Sequence, residues 1–399
     1  MVLCGLFSSF QSIRAQPPNA GKTVRYYNAR IVRDHALQAG DLWVADGKII
    51  APQIKADLEI DVHGLIIAPG YIDLQINGGF GLDFTTQADR VSEVARLLPQ
   101  YGVTAFLPTV ISSSKERYRQ ALPHLQPKKG GAHGATILGV HLEGPFFHPK
   151  QCGAHDPLMI RSFDDSSSIE DFYGSLDGVK IVTLAPEIKG ALGAIAHLKQ
   201  RCIVASVGHS NASYQEMQQA IEAGASLATH LFNAMTPFHH RDPGVIASVL
   251  TTPGYFYSII ADGHHLHPAA INLAWRSNPD GLILVTDAME ALGLSDGVYH
   301  LGTREVEVQK SKAFLAGAAT LAGSVLSLDA AVRNLLAYTS CSLVEAIEAA
   351  SWKPAVILGM QDVKGSLQEG ADADFIFLDD DLYVHATCIA GEPCFAAPL

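Results

Sequence analysis

Residues 202–233 read CIVASVGHSNASYQEMQQAIEAGASLATHLFN and hold one whole strand–helix–strand unit. An apolar run from Cys202 to His209 leads into Ser213 and Glu216, spaced as an S-x-x-E capping box. Met217, Ala220 and Ile221 then recur on one helical face, Gly224 supplies the stop, and a second apolar run follows from Leu227 to Asn233. Continuous apolar runs, as opposed to strict alternation, are what parallel strands covered on both faces require.

Working outward, the same unit recurs between residues 71 and 289. The further runs are YIDLQIN (71–77), VTAFLPT (103–109), TILGVHLE (136–143), VKIVTLAP (179–186), YFYSIIAD (255–262) and LILVTD (282–287). Helical signals fall between and after them: Val91, Val94, Ala95 and Leu98 form one stripe, and Ser342 with Glu345 repeats the capping box. Eight such units predict an α/β fold, a (β/α)8 TIM barrel. A doubly wound sheet has fewer strands and often a G-x-G-x-x-G turn after the first, whereas strand one is followed here by NGGFG.

The flanks have a different character. Residues 23–67 and 365–392 contain strand-like pieces with turns at Asp46-Gly47 and His63-Gly64. We expect a small β-sandwich domain from both chain ends (23–67 plus 361–399), a catalytic barrel over 68–360, and a disordered or targeting N-terminus over 1–22. The final CFAAPL lacks the apolar last strand such a sandwich needs, and residues 299–315 read as a hairpin inserted after strand eight. The six cysteines show no C-x-x-C pair, so they are expected to be reduced, mostly buried and in a cytoplasmic protein. With 28 Lys+Arg against 40 Asp+Glu, a net charge of −12, nucleic-acid binding is not expected. Nor is membrane insertion, for want of a long apolar run.

In a barrel of this kind the active site gathers at the carboxyl ends of the strands, and five of those ends carry polar groups. Strand three ends in Glu143, strand five in His209 and strand six in His230. One carboxylate and two imidazoles leave an open position, the pattern of a catalytic divalent metal. Asp287, ending strand eight, suits a proton shuttle beside that metal, although an aspartate there could equally cap a helix starting at Ala288. His239, His240 and Arg241 form a basic cluster suited to a phosphate, or else a solvated loop.

PGYIDLQING, HLEGPF with GAHDP, GHSNAS, THLFNAM with HHRDPG, IADGHH, LVTDAM and TLAGS stand in order, and together they resemble the N-acetylglucosamine-6-phosphate deacetylases of the amidohydrolase superfamily. The resemblance covers nearly the whole chain. It implies a homodimeric, metal-dependent barrel enzyme that removes acetate from N-acetyl-D-glucosamine 6-phosphate. By motif it implies Glu143, His209 and His230 as metal ligands and Asp287 as acid/base. It implies substrate contacts at Ala154, His155, Asn233, Ala234, Arg241, His265, Leu321, Ala322 and Gly323, with Arg241 reaching the neighbouring subunit's site.

Strand one departs from the wider superfamily, carrying Gln75 and Asn77 where a two-metal centre has His-x-His, and strand four ends without a lysine. We therefore expect one divalent ion per subunit, zinc first, with iron, cobalt or manganese able to take the same ligands. The rival readings are another amidohydrolase, disfavoured by Q-x-N, and a barrel without catalysis, disfavoured by the intact ligand set.

Overall fold

Tyr71–Ile76 pairs parallel to Val103–Ile111 and opens the sheet that positions everything else. The computed structural model describes residues 21–163 and 169–397. The remaining strands of this sheet follow as Thr136–Ile137 with Val140–Glu143, then Val179–Leu184, Val204–Val207, Leu227–Ala228, Phe256–Ile259 and Leu282–Leu284. Every residue of the first two is buried, as a parallel sheet covered by helices on its outer face demands. A parallel bridge between Ile76 and Ala288 closes the ring, with Asp287 N–H donating to the Gln75 carbonyl at 2.8 Å. The fold is thus the expected (β/α)8 barrel.

Its helices start where the sequence says they should. Ser213 Oγ accepts from Glu216 N–H while the Glu216 carboxylate accepts from Ser213 N–H at 2.8 Å, so Tyr214–Ala223 is capped reciprocally, and Leu343–Glu348 repeats the device. Gly208, just before His209, has no room for a side chain: a Cβ there would lie 2.7 Å from Thr183 Cγ2.

The chain ends build one eight-stranded sheet in which Val24–Arg33 pairs with Ala36–Ala45, Leu58–Asp61 and Ile66–Pro69. Ile66–Pro69 pairs in turn with Phe375–Leu378 from the other end of the chain. The sheet curls back on itself, since Lys48 bridges Asp372 and Ile49 N–H donates to the Ala371 carbonyl. Tyr26, Leu42, Ile60, Phe375 and Phe377 fill its own core.

Three expectations are corrected. Glu392–Ala396, within and just before CFAAPL, does form a last strand, antiparallel to Val384–Ile389, because backbone pairing along a free edge needs no apolar run. The segment after strand eight is a three-stranded meander, Gly297–Leu301, Arg304–Gln309 and Lys312–Leu315, not a two-stranded hairpin. Among the described cysteines all five are free thiols, but only Cys341 and Cys388 are buried, because the others sit on loops, a helix end or a sheet edge. The targeting expectation falls mainly on residues 1–20, outside the described residues. No helix among the described residues is long and apolar enough to cross a membrane.

Candidate active site

Glu143, His209 and His230 come from the ends of three neighbouring parts of the barrel, and their ligand atoms meet at one point. His230 Nε2 lies 3.1 Å from both Glu143 Oε1 and His209 Nε2, and His209 Nε2 lies 3.4 Å from Glu143 Oε1. All three residues are at most 4% exposed. His209 and His230 hold left-handed backbone conformations, φ 52° and 34°, and so does Asp287 at 48°. Such conformations cost about 1–3 kcal/mol each for a residue with a Cβ and persist where surrounding structure enforces them. Here they turn three chain segments abruptly off the strands, aiming each side chain over the barrel mouth.

The proton positions show what the cluster requires. His209 Nδ1 lies 2.7 Å from the Gln151 carbonyl, which only accepts, so Nδ1 carries the hydrogen and Nε2 of the neutral ring presents a lone pair. Phe147 stacks on the same ring at 4.0 Å and fixes its plane. A bare imidazole nitrogen facing a carboxylate oxygen and a second imidazole is the donor set of a divalent cation, and spacings of 3.1–3.4 Å suit ligands to one ion. Burial pushes the Glu143 carboxyl up, but the adjoining His209 and His230, with His155 nearby, hold it well below its usual range.

His155 also approaches this centre, its Nε2 3.9 Å from Glu143 Oε2, and Glu143, His155 and His209 are by themselves close enough to grip an ion. The hydrogen bonding favours another role. Ser112 N–H donates to His155 Nδ1 at 3.2 Å, with Ser112 Oγ 2.9 Å from the same atom. Nδ1 therefore accepts, and the hydrogen of the neutral ring sits on Nε2, making it a donor and no ligand. Burial and the neighbouring His209 push this imidazole down to about 3, so it stays neutral. His141, also on strand three, is spent in the barrel interior between the Leu74 carbonyl and Thr183 Oγ1.

Asp287 ends strand eight, but no helix follows it, so the capping alternative does not hold. Its Oδ1 accepts from Asn77 Nδ2 at 2.7 Å and from Gln75 Nε2 at 3.2 Å, while the same Gln75 amide donates to Glu143 Oε1 at 2.8 Å. Burial, then the Glu143 charge, push the Asp287 carboxyl up to about 6, against the pull of His230, His265 and Asn77. Gln75 and Asn77 stood out in the sequence only as missing histidines. The structure gives them a task, bridging the two carboxylates of the site.

A cavity of roughly 530 Å³ opens above this cluster. Ala154, His155, Asn233, Ala234, His265, Leu321 and Gly323 line it, together with the three expected ligands and Asp287. His265 is braced by Asp262, whose carboxylate lies 2.7 Å from Nδ1. Ala322 is fully buried behind the wall and Arg241 is exposed on a loop, so neither lines the cavity of its own chain. Lys150, Gln151 and Thr320 line it without having been singled out, since none sits at a strand end.

A (β/α)8 barrel with a carboxylate, imidazoles and an acid of raised pKa gathered over the strand ends has the architecture of a barrel hydrolase. Comparison with known proteins agrees. Residues 66–394 match the Amidohydrolase family. N-acetylglucosamine-6-phosphate deacetylase of Mus musculus is 47% identical over 387 residues, covering 92% of this chain and 95% of that one. The deacetylase of the same name from Pasteurella multocida superposes with a TM-score of 0.86 at 30% identity, over 94% of this chain and all of that one. A mutant of the Mycobacterium smegmatis enzyme, in complex with N-acetyl-D-glucosamine-6-phosphate, gives 0.83 at 32% identity over the same shares. The chain belongs to the amidohydrolase family, among its N-acetylglucosamine-6-phosphate deacetylases.

Proposed function

We propose that this chain hydrolyses the acetamide of N-acetyl-D-glucosamine 6-phosphate, giving D-glucosamine 6-phosphate and acetate, in amino-sugar catabolism or recycling. The observation that carries the reading is the placement, on one cavity, of the donor His155 and the raised-pKa Asp287 to either side of the Glu143, His209 and His230 cluster. The substrate is supported by the deacetylases the chain resembles and by the ligand of the mycobacterial complex.

Glu143, His209 and His230 would hold one divalent ion per subunit, zinc by our first assignment and otherwise iron, cobalt or manganese, supplying Lewis acidity and more acidic water. His155 donates its Nε2 hydrogen to the acetamide carbonyl as that oxygen gains charge. Asp287 takes a proton from the attacking water as the new C–O bond forms. It then returns that proton to the nitrogen as the C–N bond breaks, releasing acetate and the amine. With Oδ1 engaged by two amide donors, Oδ2 is the atom that carries the proton.

Ala154, Asn233, Ala234, His265 and the turn Leu321, Ala322 and Gly323 shape the sugar site in this reading. Arg241 reaches the 6-phosphate in the neighbouring site of a homodimer, which accounts for its exposure in one chain. Free thiols suit a reducing compartment, the cytoplasm. The experiment is acetate release from a panel of N-acetylated sugars with and without a 6-phosphate. Rapid turnover confined to the 6-phosphates supports the reading, and equal turnover of unphosphorylated sugars would overturn it.

A further inference from the structure

A second, smaller cavity of about 170 Å³ lies behind the Ser112 wall of the active site, and Ile111 and Leu301 face both spaces. Two guanidinium groups, Arg117 and Arg304, line it, each half-buried. Arginines elsewhere in this acidic chain are matched: Arg25, Arg30, Arg90, Arg201 and Arg333 each meet a carboxylate. Arg117 and Arg304 make no ion pair or side-chain hydrogen bond among the described residues. The hydroxyls of Ser113 and Thr303 stand in the same lining, equally unengaged, and Thr85 Oγ1 accepts from Ile111 N–H, leaving its own hydrogen to donate. Asp156 is the carboxylate of the lining, and it is occupied by Leu158 N–H at 2.9 Å.

A concave space with two unmatched guanidinium forks and several hydroxyl donors has the chemistry of an oxyanion receptor. We propose that this cavity binds one small phosphate-class anion, inorganic phosphate or a short phosphomonoester, at a site separate from the reaction centre. The reading does not depend on the substrate assigned above. Ser112 belongs to the lining of this cavity and supplies the hydrogen bonds that set the His155 tautomer. An anion drawing Ser113 and its neighbours toward the arginines therefore bears on His155, and occupancy changes turnover.

The test is calorimetric titration of the full-length, metal-loaded chain with inorganic phosphate and, separately, glycerol 3-phosphate, which tells the bare anion from the ester. A phosphate site should survive Arg241→Ala and weaken at least about tenfold in Arg117→Gln/Arg304→Gln, each charge-assisted bond being worth that much. Arg117→Lys and Arg304→Lys, milder changes, should each weaken it by a lesser factor should the double variant fail to fold. Absence of a phosphate site in the parent protein, or one indifferent to these substitutions, would overturn the proposal. Activity at saturating substrate should respond to phosphate in the parent and not in the double variant. Binding with no effect on kcat would overturn the link to His155.

Discussion

Asn77 Nδ2 donates to Asp287 Oδ1 across 2.7 Å, joining the ends of the first and last barrel strands where the ring closes. The contact places an amide donor where the wider superfamily has a metal-binding histidine. It turns the Asp287 carboxylate to a fixed angle and favours its charged form. Asn77→Ala should lower kcat by about 10- to 100-fold, the usual cost of losing a supporting hydrogen bond beside a metal, without loss of metal. The acid limb of the rate profile gives the sign. Asp287 must be ionised to accept a proton and titrates at about 6, so activity falls as pH drops through that value. Removing a donor to the charged form shifts this limb to higher pH. A limb that moves down or stays put, with kcat unchanged, would show that Asn77 is only structural.

Asp287→Asn should retain the fold and the metal and lose about 10²- to 10⁴-fold in kcat, because the residue acts on the proton in both directions. Circular dichroism and elemental analysis, run beside steady-state rates, separate this from unfolding. Near-normal turnover would assign the shuttle elsewhere.

Metal content should be one ion per chain. Chelation should abolish turnover, and readdition of zinc should restore it. With Gln75 and Asn77 donating to the carboxylates, the space beside Asp287 has amide hydrogens where a second cation would need lone pairs. Two tightly held ions per active subunit would contradict this.

Arg241→Ala should raise KM for the phosphorylated sugar by about 10- to 150-fold, the equivalent of one charge-assisted bond of roughly 1.5–3 kcal/mol, and change it little for the unphosphorylated sugar. Because the side chain stands outside its own cavity, dilution to monomers should weaken substrate binding as well. Equal slowing of both sugars would point to a role in the fold.

In the β unit of the chain ends, Lys364 Nζ sits 2.5 Å from Asp374 and 2.8 Å from Asp372, which also meets Lys48 at 2.7 Å. Lys364→Ala strands Asp374, which is 5% exposed, and should cost about 3–5 kcal/mol of stability in denaturant titration. Burial pushes Asp372 up, yet Lys364 and Lys48 bring it below its ordinary value. Its stabilising share is therefore present above about pH 4 and lost as pH falls through the depressed folded value. The variant should show a weaker acid dependence than the parent.

The sequence by itself determined the barrel and the rim. Eight apolar runs, each followed by helix signals such as Ser213 with Glu216, leave few ways to bury both faces of every strand, and strand ends then name Glu143, His209, His230 and Asp287. These are local properties, written in periodicity and spacing. The last strand at Glu392–Ala396 escaped that reading because an edge takes its partner through backbone bonds, which side-chain pattern does not record. Tertiary structure alone decided the chemistry of the polar groups. That His155 is a donor follows from Ser112, 43 positions earlier in the chain, and the left-handed turns at His209, His230 and Asp287 are enforced by packing around the barrel mouth. Gln75 reads as an absent ligand until closure of the ring sets its amide between Glu143 and Asp287, 68 and 212 positions away. Which atom carries a proton, and what each carboxylate faces, depends on through-space contacts between strands remote in sequence, and only the closed barrel brings those strands together.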